Sequence, residues 1–112
     1  MARDPKAYVW DAKSAADAIV TFLADRTFEH YKSDLLLRSA VERQFEIVGE
    51  ALNQLSRIAP DVAAQVPDLG RIIAFRNILI HGYAVVDDEI VWRATHENLP
   101  ALRTKLESLL RD

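Results

Sequence analysis

Cysteine is absent from the 112 residues, which excludes disulfides, thiolate metal sites and cysteine nucleophiles. The same absence suits a reducing compartment, so the expected location is cytoplasmic. Long apolar runs are also missing. No stretch approaches the ~20 residues of a membrane-spanning helix. The opening MARDPKAYVWDAK lacks the basic and unbroken apolar regions of an export signal, so no membrane association or export is expected. Positive charge is not in excess: 14 Lys and Arg stand against 17 Asp and Glu, a net charge of −3. A broad basic surface is thereby excluded as the main means of holding nucleic acid, and any such chemistry must rest on a local site. Period-two alternation, internal repeats and low-complexity tracts are lacking too, which leaves helices as the expected building blocks.

What is present fits one small all-α domain spanning 1–112. The residues are 50% apolar and 28% charged, the balance of a folded globule rather than a disordered chain. A domain this small buries a modest share of its surface, so pairing with a second copy is expected. Tyr8, Ala12, Ala15, Ile19 and Phe22 recur at spacings of three and four, predicting a first helix over 4–25 with Asp4 and Pro5 at its start. RTFEHYKSD reads as a connector. Ser33 or Asp34 then caps a long second helix that Pro60 stops, with Leu37, Val41, Phe45, Val48, Leu52 and Leu55 as its core stripe. A turn region from Pro60 to Pro67 leads into a third helix ending near His81, with Gly82 as the residue that closes it. That helix is apolar around most of its circumference (Ile72, Ile73, Phe75, Ile78, Leu79, Ile80), so one side is expected to face a partner. Asp87 or Asp88 caps the last helical segment, which Pro100 should break near Asn98 and Leu99.

The segment Arg76-Asn77-Ile78-Leu79-Ile80-His81-Gly82-Tyr83 concentrates the chemistry. A guanidinium offers planar, charge-assisted donors to phosphate oxygens, and an imidazole exchanges protons near neutral pH. Arg76 and His81 nevertheless lie about 140° apart on an ideal helix, so convergence requires the reach of the arginine and a bend at the helix end. A structural reading stands beside the catalytic one. Arg76 pairs with an acidic residue of the second helix, such as Glu46 or Glu50, and His81 caps the carbonyls at its own helix end.

Two stretches add to this reading. ERQFEIVGEALNQLS from Glu42 to Ser56 and RNILIHGYAVVDDEIVW from Arg76 to Trp92 resemble the two signature blocks of the HepT-like toxin family in the HEPN superfamily. The similarity extends to the Asp11–Ile19 pattern of the first helix and to the Leu99-Pro100-Ala101-Leu102 step. Pro67-Asp68-Leu69 departs from the many relatives that carry a tryptophan there. The resemblance implies a bundle of four to five helices and a two-fold homodimer that brings both R-x4-H-x-Y motifs to one cleft. It also implies endoribonuclease action on RNA without metal or cofactor, as the toxin of a type VII-like toxin-antitoxin pair. Under it Arg76 and His81 are catalytic, Asn77 supports them, and Tyr83 accepts AMP from an MntA-type nucleotidyltransferase antitoxin. The alternative is a non-catalytic helical module that binds a nucleotide or docks that nucleotidyltransferase.

The remaining polar residues carry blander expectations. Glu42, Glu46 and Glu50 form a ladder that reads as a solvated or salt-bridged helix face rather than a metal cluster. His30 and His96 read as surface histidines, and Trp10 and Trp92 as core or interface anchors.

Overall fold

The computed structural model describes residues 3–82 and 86–111. Among them the structure is all-α with no strand, in seven helical segments: α1 (Pro5–Leu23), α2 (Phe28–Ser33), α3 (Leu35–Ile58), α4 (Pro60–Ala63), α5 (Leu69–His81), α6 (Asp88–Glu97) and α7 (Leu99–Arg111). The count exceeds four to five for two local reasons. Both connectors coil into short helices, and the last helix is split. RTFEHYKSD contains α2, because Thr27 accepts a hydrogen bond from the His30 amide at 3.1 Å and starts a helix there. Pro60 opens α4 as well as ending α3, since proline suits the first position of a helix.

Elsewhere the local signals act as anticipated. Asp4 caps α1 ahead of Pro5, accepting from the Lys6 amide at 2.8 Å. Asp34 caps α3 through the Leu37 amide at 3.0 Å, and Asp87 caps α6 through the Glu89 amide at 2.8 Å. The break at Pro100 falls at Asn98. Gly82 follows α5 with φ −105°, so its tolerance of left-handed backbone is not what ends the helix; its amide donates to the Ile78 carbonyl at 2.7 Å.

The spine is α3, with α1 along one side and α5 along another; α7 lies against α1. All six stripe residues of α3 are buried, meeting Val9, Ala12, Ala15, Ala16 and Ile19 of α1 and Leu99, Leu102, Leu106 and Leu109 of α7. Small residues on α1 let the two long helices approach closely, and the leucines of α7 close the base. Tyr31 of α2 is fully buried, and Trp92 is half-buried against it at 5.6 Å and against Phe28 at 5.9 Å. Trp10 is no core residue, being 61% exposed. Within α5 only Leu79 is fully buried, while Ile78 is 54% exposed and Ile80 is also open to solvent. No helix among the described residues is long and apolar enough to cross a membrane.

Charge ties α1 to α7. Asp17 accepts from Lys13 Nζ at 2.7 Å and from Arg103 Nε at 2.9 Å, and Lys13 also reaches Glu107 at 3.2 Å. Burial alone would raise the Asp17 carboxyl, but the two cations outweigh it and hold the group below its ordinary value. A depressed folded value contributes stability above the unfolded aspartate range and loses it as pH falls through the folded value. Because the pair is more than a third exposed, Asp17→Asn is expected to cost no more than ~1 kcal/mol at neutral pH. Urea denaturation at neutral pH and again in acid checks this, since the difference between the two proteins should vanish in acid.

Candidate functional site

The site is built where α5 crosses α3. Gly49 sits in the middle of α3, where a glycine costs the helix about 1 kcal/mol relative to alanine. Its reason is contact. A Cβ at Gly49 would overlap Arg76 Cβ and lie 2.8 Å from Arg76 Cγ, with the Ile72 carbonyl oxygen 3.4 Å away. The missing side chain therefore lets the two helices touch and seats the stem of Arg76 against the α3 backbone. Phe45 and Phe75 reinforce the crossing edge-to-face, with ring centroids 5.3 Å apart.

From that seat the guanidinium turns toward acid on α3. Nη2 stands 2.6 Å from Glu50 Oε2, and Nη1 donates to Asn77 Oδ1 at 2.7 Å. The contact with Glu50 is close but poorly aligned. Glu50 Oε2 and Arg76 Nε are both buried, and neither makes a hydrogen bond of good geometry among the described residues. The other oxygen of Glu50 accepts from Gln54 Nε2 at 2.9 Å. Of the two acidic partners open to Arg76 from sequence, the structure selects Glu50; Glu46 pairs instead with Arg43 at 3.5 Å.

Arg76 lines a cleft of about 230 Å³ between α1, α3 and α5, together with Arg3, Tyr8, Arg43, Glu50 and Gln54. Its three arginines each face a carboxylate, Arg3 meeting Asp11 at 2.8 Å, so charge within the cleft is close to balanced. His81 is the final residue of α5, exposed, and is not among the residues lining this cleft. Asn77 is exposed and bound to Arg76. The protomer thus brings Arg76 and Asn77 together and leaves His81 about a turn further along the helix. Tyr83 lies outside the described residues.

The glutamate ladder resolves into ion pairs with Arg43 and Arg76, plus Glu42, whose carboxyl is raised chiefly by burial and then by the nearby Asp88. Among the described residues no group of three or more His, Asp and Glu is arranged to hold a metal ion. His30 and His96 are exposed; His30 lies 3.5 Å from Asp34, and His96 packs on Trp92 at 5.0 Å. The residue that sequence reasoning passed over is Gly49. Its signal was available: a glycine near the centre of a 24-residue helix.

Known proteins resemble the chain over nearly its full length. The family model described as Ribonuclease HepT-like matches residues 12–109. A protein of Thermococcus cleftensis described as a probable ribonuclease HepT is 33% identical over 113 residues, covering 97% of this chain and 98% of its own. A protein of Methanocaldococcus jannaschii described as a candidate RNase is 30% identical over 105 residues, covering 94% and 95%. A second from that organism, described in the same way, is 28% identical over 110 residues, covering 98% and 94%. No solved structure matches the chain.

Proposed function

Because the chain belongs to the HepT-like ribonuclease family, we propose that it is a metal-independent endoribonuclease whose active unit is a two-fold homodimer. The observation that carries the reading is the division of groups along α5: a guanidinium in a cleft near its middle and an exposed imidazole at its end. A single protomer offers one motif imidazole. Transesterification by a ribose 2′-hydroxyl needs one group to take a proton and another to give one. Pairing through the exposed side of α5, where Ile78 and Ile80 meet solvent, supplies two copies of His81 to one scissile phosphate.

One His81 then takes the 2′-hydroxyl proton as the 2′-oxygen bonds to phosphorus. The His81 of the other protomer gives its proton to the departing 5′-oxygen. Arg76 stabilises the charge on the phosphorane oxygens, and Asn77 orients the guanidinium. The products are a 2′,3′-cyclic phosphate and a free 5′-hydroxyl. In the cell the protein acts as the toxin of a toxin-antitoxin pair, and an MntA-type nucleotidyltransferase silences it by adenylylating Tyr83. The added AMP places a bulky anion where the RNA phosphate would meet Arg76.

Incubating the purified protein with RNA in excess EDTA tests the reading. Cleavage should survive chelation, leave cyclic phosphate ends, and disappear in Arg76→Ala and His81→Ala. Cleavage that needs a divalent ion, or that both variants retain, would overturn it.

A further inference from the structure

The guanidinium of Arg76 is already occupied by an anion in the free protomer. An arginine presents its strongest anion-binding edge through Nε and one Nη, and on Arg76 that edge is turned inward. Among the described residues Nε is buried without a hydrogen bond, and Nη2 meets Glu50 Oε2 at 2.6 Å. The stem cannot retreat, because it rests on the backbone of Gly49. Glu50 has more freedom. Its side chain is 44% exposed against 24% for Arg76, and Gln54 holds its second oxygen from one turn along α3. Of the two groups, the carboxylate is the one that can swing toward solvent, with Gln54 keeping hold of it.

We propose that Glu50 is an intramolecular competitor of the RNA phosphate for Arg76, so that substrate binding exchanges one anion for another on a single guanidinium. The inference rests on the proposed ribonuclease function and adds to it a residue that sets substrate affinity. One Glu50 oxygen, Oε2, stands in for a phosphodiester oxygen. While it is there, Arg76 keeps its place but offers the phosphate only its outer corner. Glu50 is thus a positioning residue that acts through Arg76 and takes no part in the proton transfers.

The exchange leaves a mark on salt dependence. A cation that is free in solution sheds condensed counterions when it meets a nucleic acid phosphate, giving about 0.7 of a unit in the slope of log K against log salt per single-strand contact. An arginine that trades an internal carboxylate for the phosphate adds much less. Glu50→Gln keeps the size of the side chain and an acceptor for Gln54 but removes the charge. It is expected to tighten the KM for a single-stranded RNA oligonucleotide by about fivefold, the worth of an ion pair partly in water. The kcat should stay the same, and the salt slope should steepen by about 0.7.

Glu46→Gln is the matched control, since it removes the same charge one turn away on α3 from a residue paired with Arg43. It should shift KM by less than about twofold, because its pair with the exposed Arg43 is long, at 3.5 Å, and worth little in water. Affinities measured in a His81→Ala background separate binding from chemistry, and thermal denaturation confirms that each variant is folded. The proposal is overturned if Glu50→Gln behaves as Glu46→Gln does, if its salt slope is unchanged, or if kcat falls while KM holds. Wild-type protein that neither binds nor cuts RNA would instead overturn the ribonuclease reading on which the inference rests.

Discussion

Mixing wild-type protein with His81→Ala protein is expected to silence the wild-type chains far beyond dilution. Loss of a proton-transfer group lowers a rate by roughly 10²–10⁴-fold, so a homodimer of His81→Ala should be inert on the scale of an ordinary assay. A mixed dimer keeps one imidazole. If one His81 is the base and its mate the acid, that dimer also lacks half of the proton relay and falls by a similar factor. Activity then follows the square of the wild-type fraction. With the variant in about ninefold excess, random pairing leaves about one dimer in a hundred fully wild type, whereas independent protomers would keep about one tenth of the activity. Varying the ratio of variant to wild type at constant total protein, with time for exchange, distinguishes a curve from a line. A straight line would mean that each protomer cuts alone, and the two-fold site would have to be given up.

Gly49→Ala should harm both stability and rate, against the usual direction of a glycine-to-alanine change inside a helix. Helix propensity favours the alanine by about 1 kcal/mol. The new Cβ, however, falls within overlap of Arg76 Cβ, which the α5 backbone fixes and no side-chain rotation can move, and against Cγ. Forcing packed helices apart typically costs 1–3 kcal/mol, so the net result is a destabilisation on the order of 1 kcal/mol. Gly70→Ala provides the contrast. Gly70 lies in the first turn of α5 with no atom of the described residues within 4 Å of an added Cβ, and alanine there should stabilise by a few tenths of a kcal/mol up to ~1. Because Arg76 travels with the displaced helix, Gly49→Ala is further expected to lower the cleavage rate by about 100-fold, the cost of a misplacement near an ångström. Thermal denaturation of the two variants alongside their cleavage rates checks both parts. Equal stabilisation by the two alanines would show that the α3 and α5 backbones are not in contact at Gly49.

The balance of charge around Arg76 bears on how such a chain manages RNA with a net charge of −3. In the cleft, arginines and carboxylates are interleaved, so weak attraction at long range is combined with one guanidinium capable of strong, directional contact. On the ribonuclease reading proposed above, that arrangement disfavours general adhesion to nucleic acid.

Most of the architecture was legible in the residues because its causes are local. Apolar spacing of three and four placed the core stripe of α3, and Asp4, Asp34 and Asp87 marked helix starts through hydrogen bonds to amides two or three positions on. Pro100 marked the break at Asn98 for an equally local reason, a missing donor and a steric clash. The one-turn and two-turn helices α4 and α2 were not anticipated, since six residues or fewer give too little periodicity to separate a short helix from a turn. Of the two places open to Trp10, core or interface, its exposure rules out the core, because burial depends on which face of α1 meets a neighbour and an aromatic side chain does not state its own surroundings.

The sequence by itself determined an all-helical chain, its main helix limits, and a guanidinium and an imidazole set five positions apart on α5. Only the tertiary structure decided that Arg76 rests on Gly49, that Glu50 rather than Glu46 is its partner, and that Tyr8 and Arg3 share its cleft. The physical reason is one of range. Capping and periodicity act over a few residues of one helix, whereas the choice between two glutamates a single turn apart is made by the height at which α5 crosses α3. That height is set by the absence of one side chain, which carries no meaning until two backbones meet there.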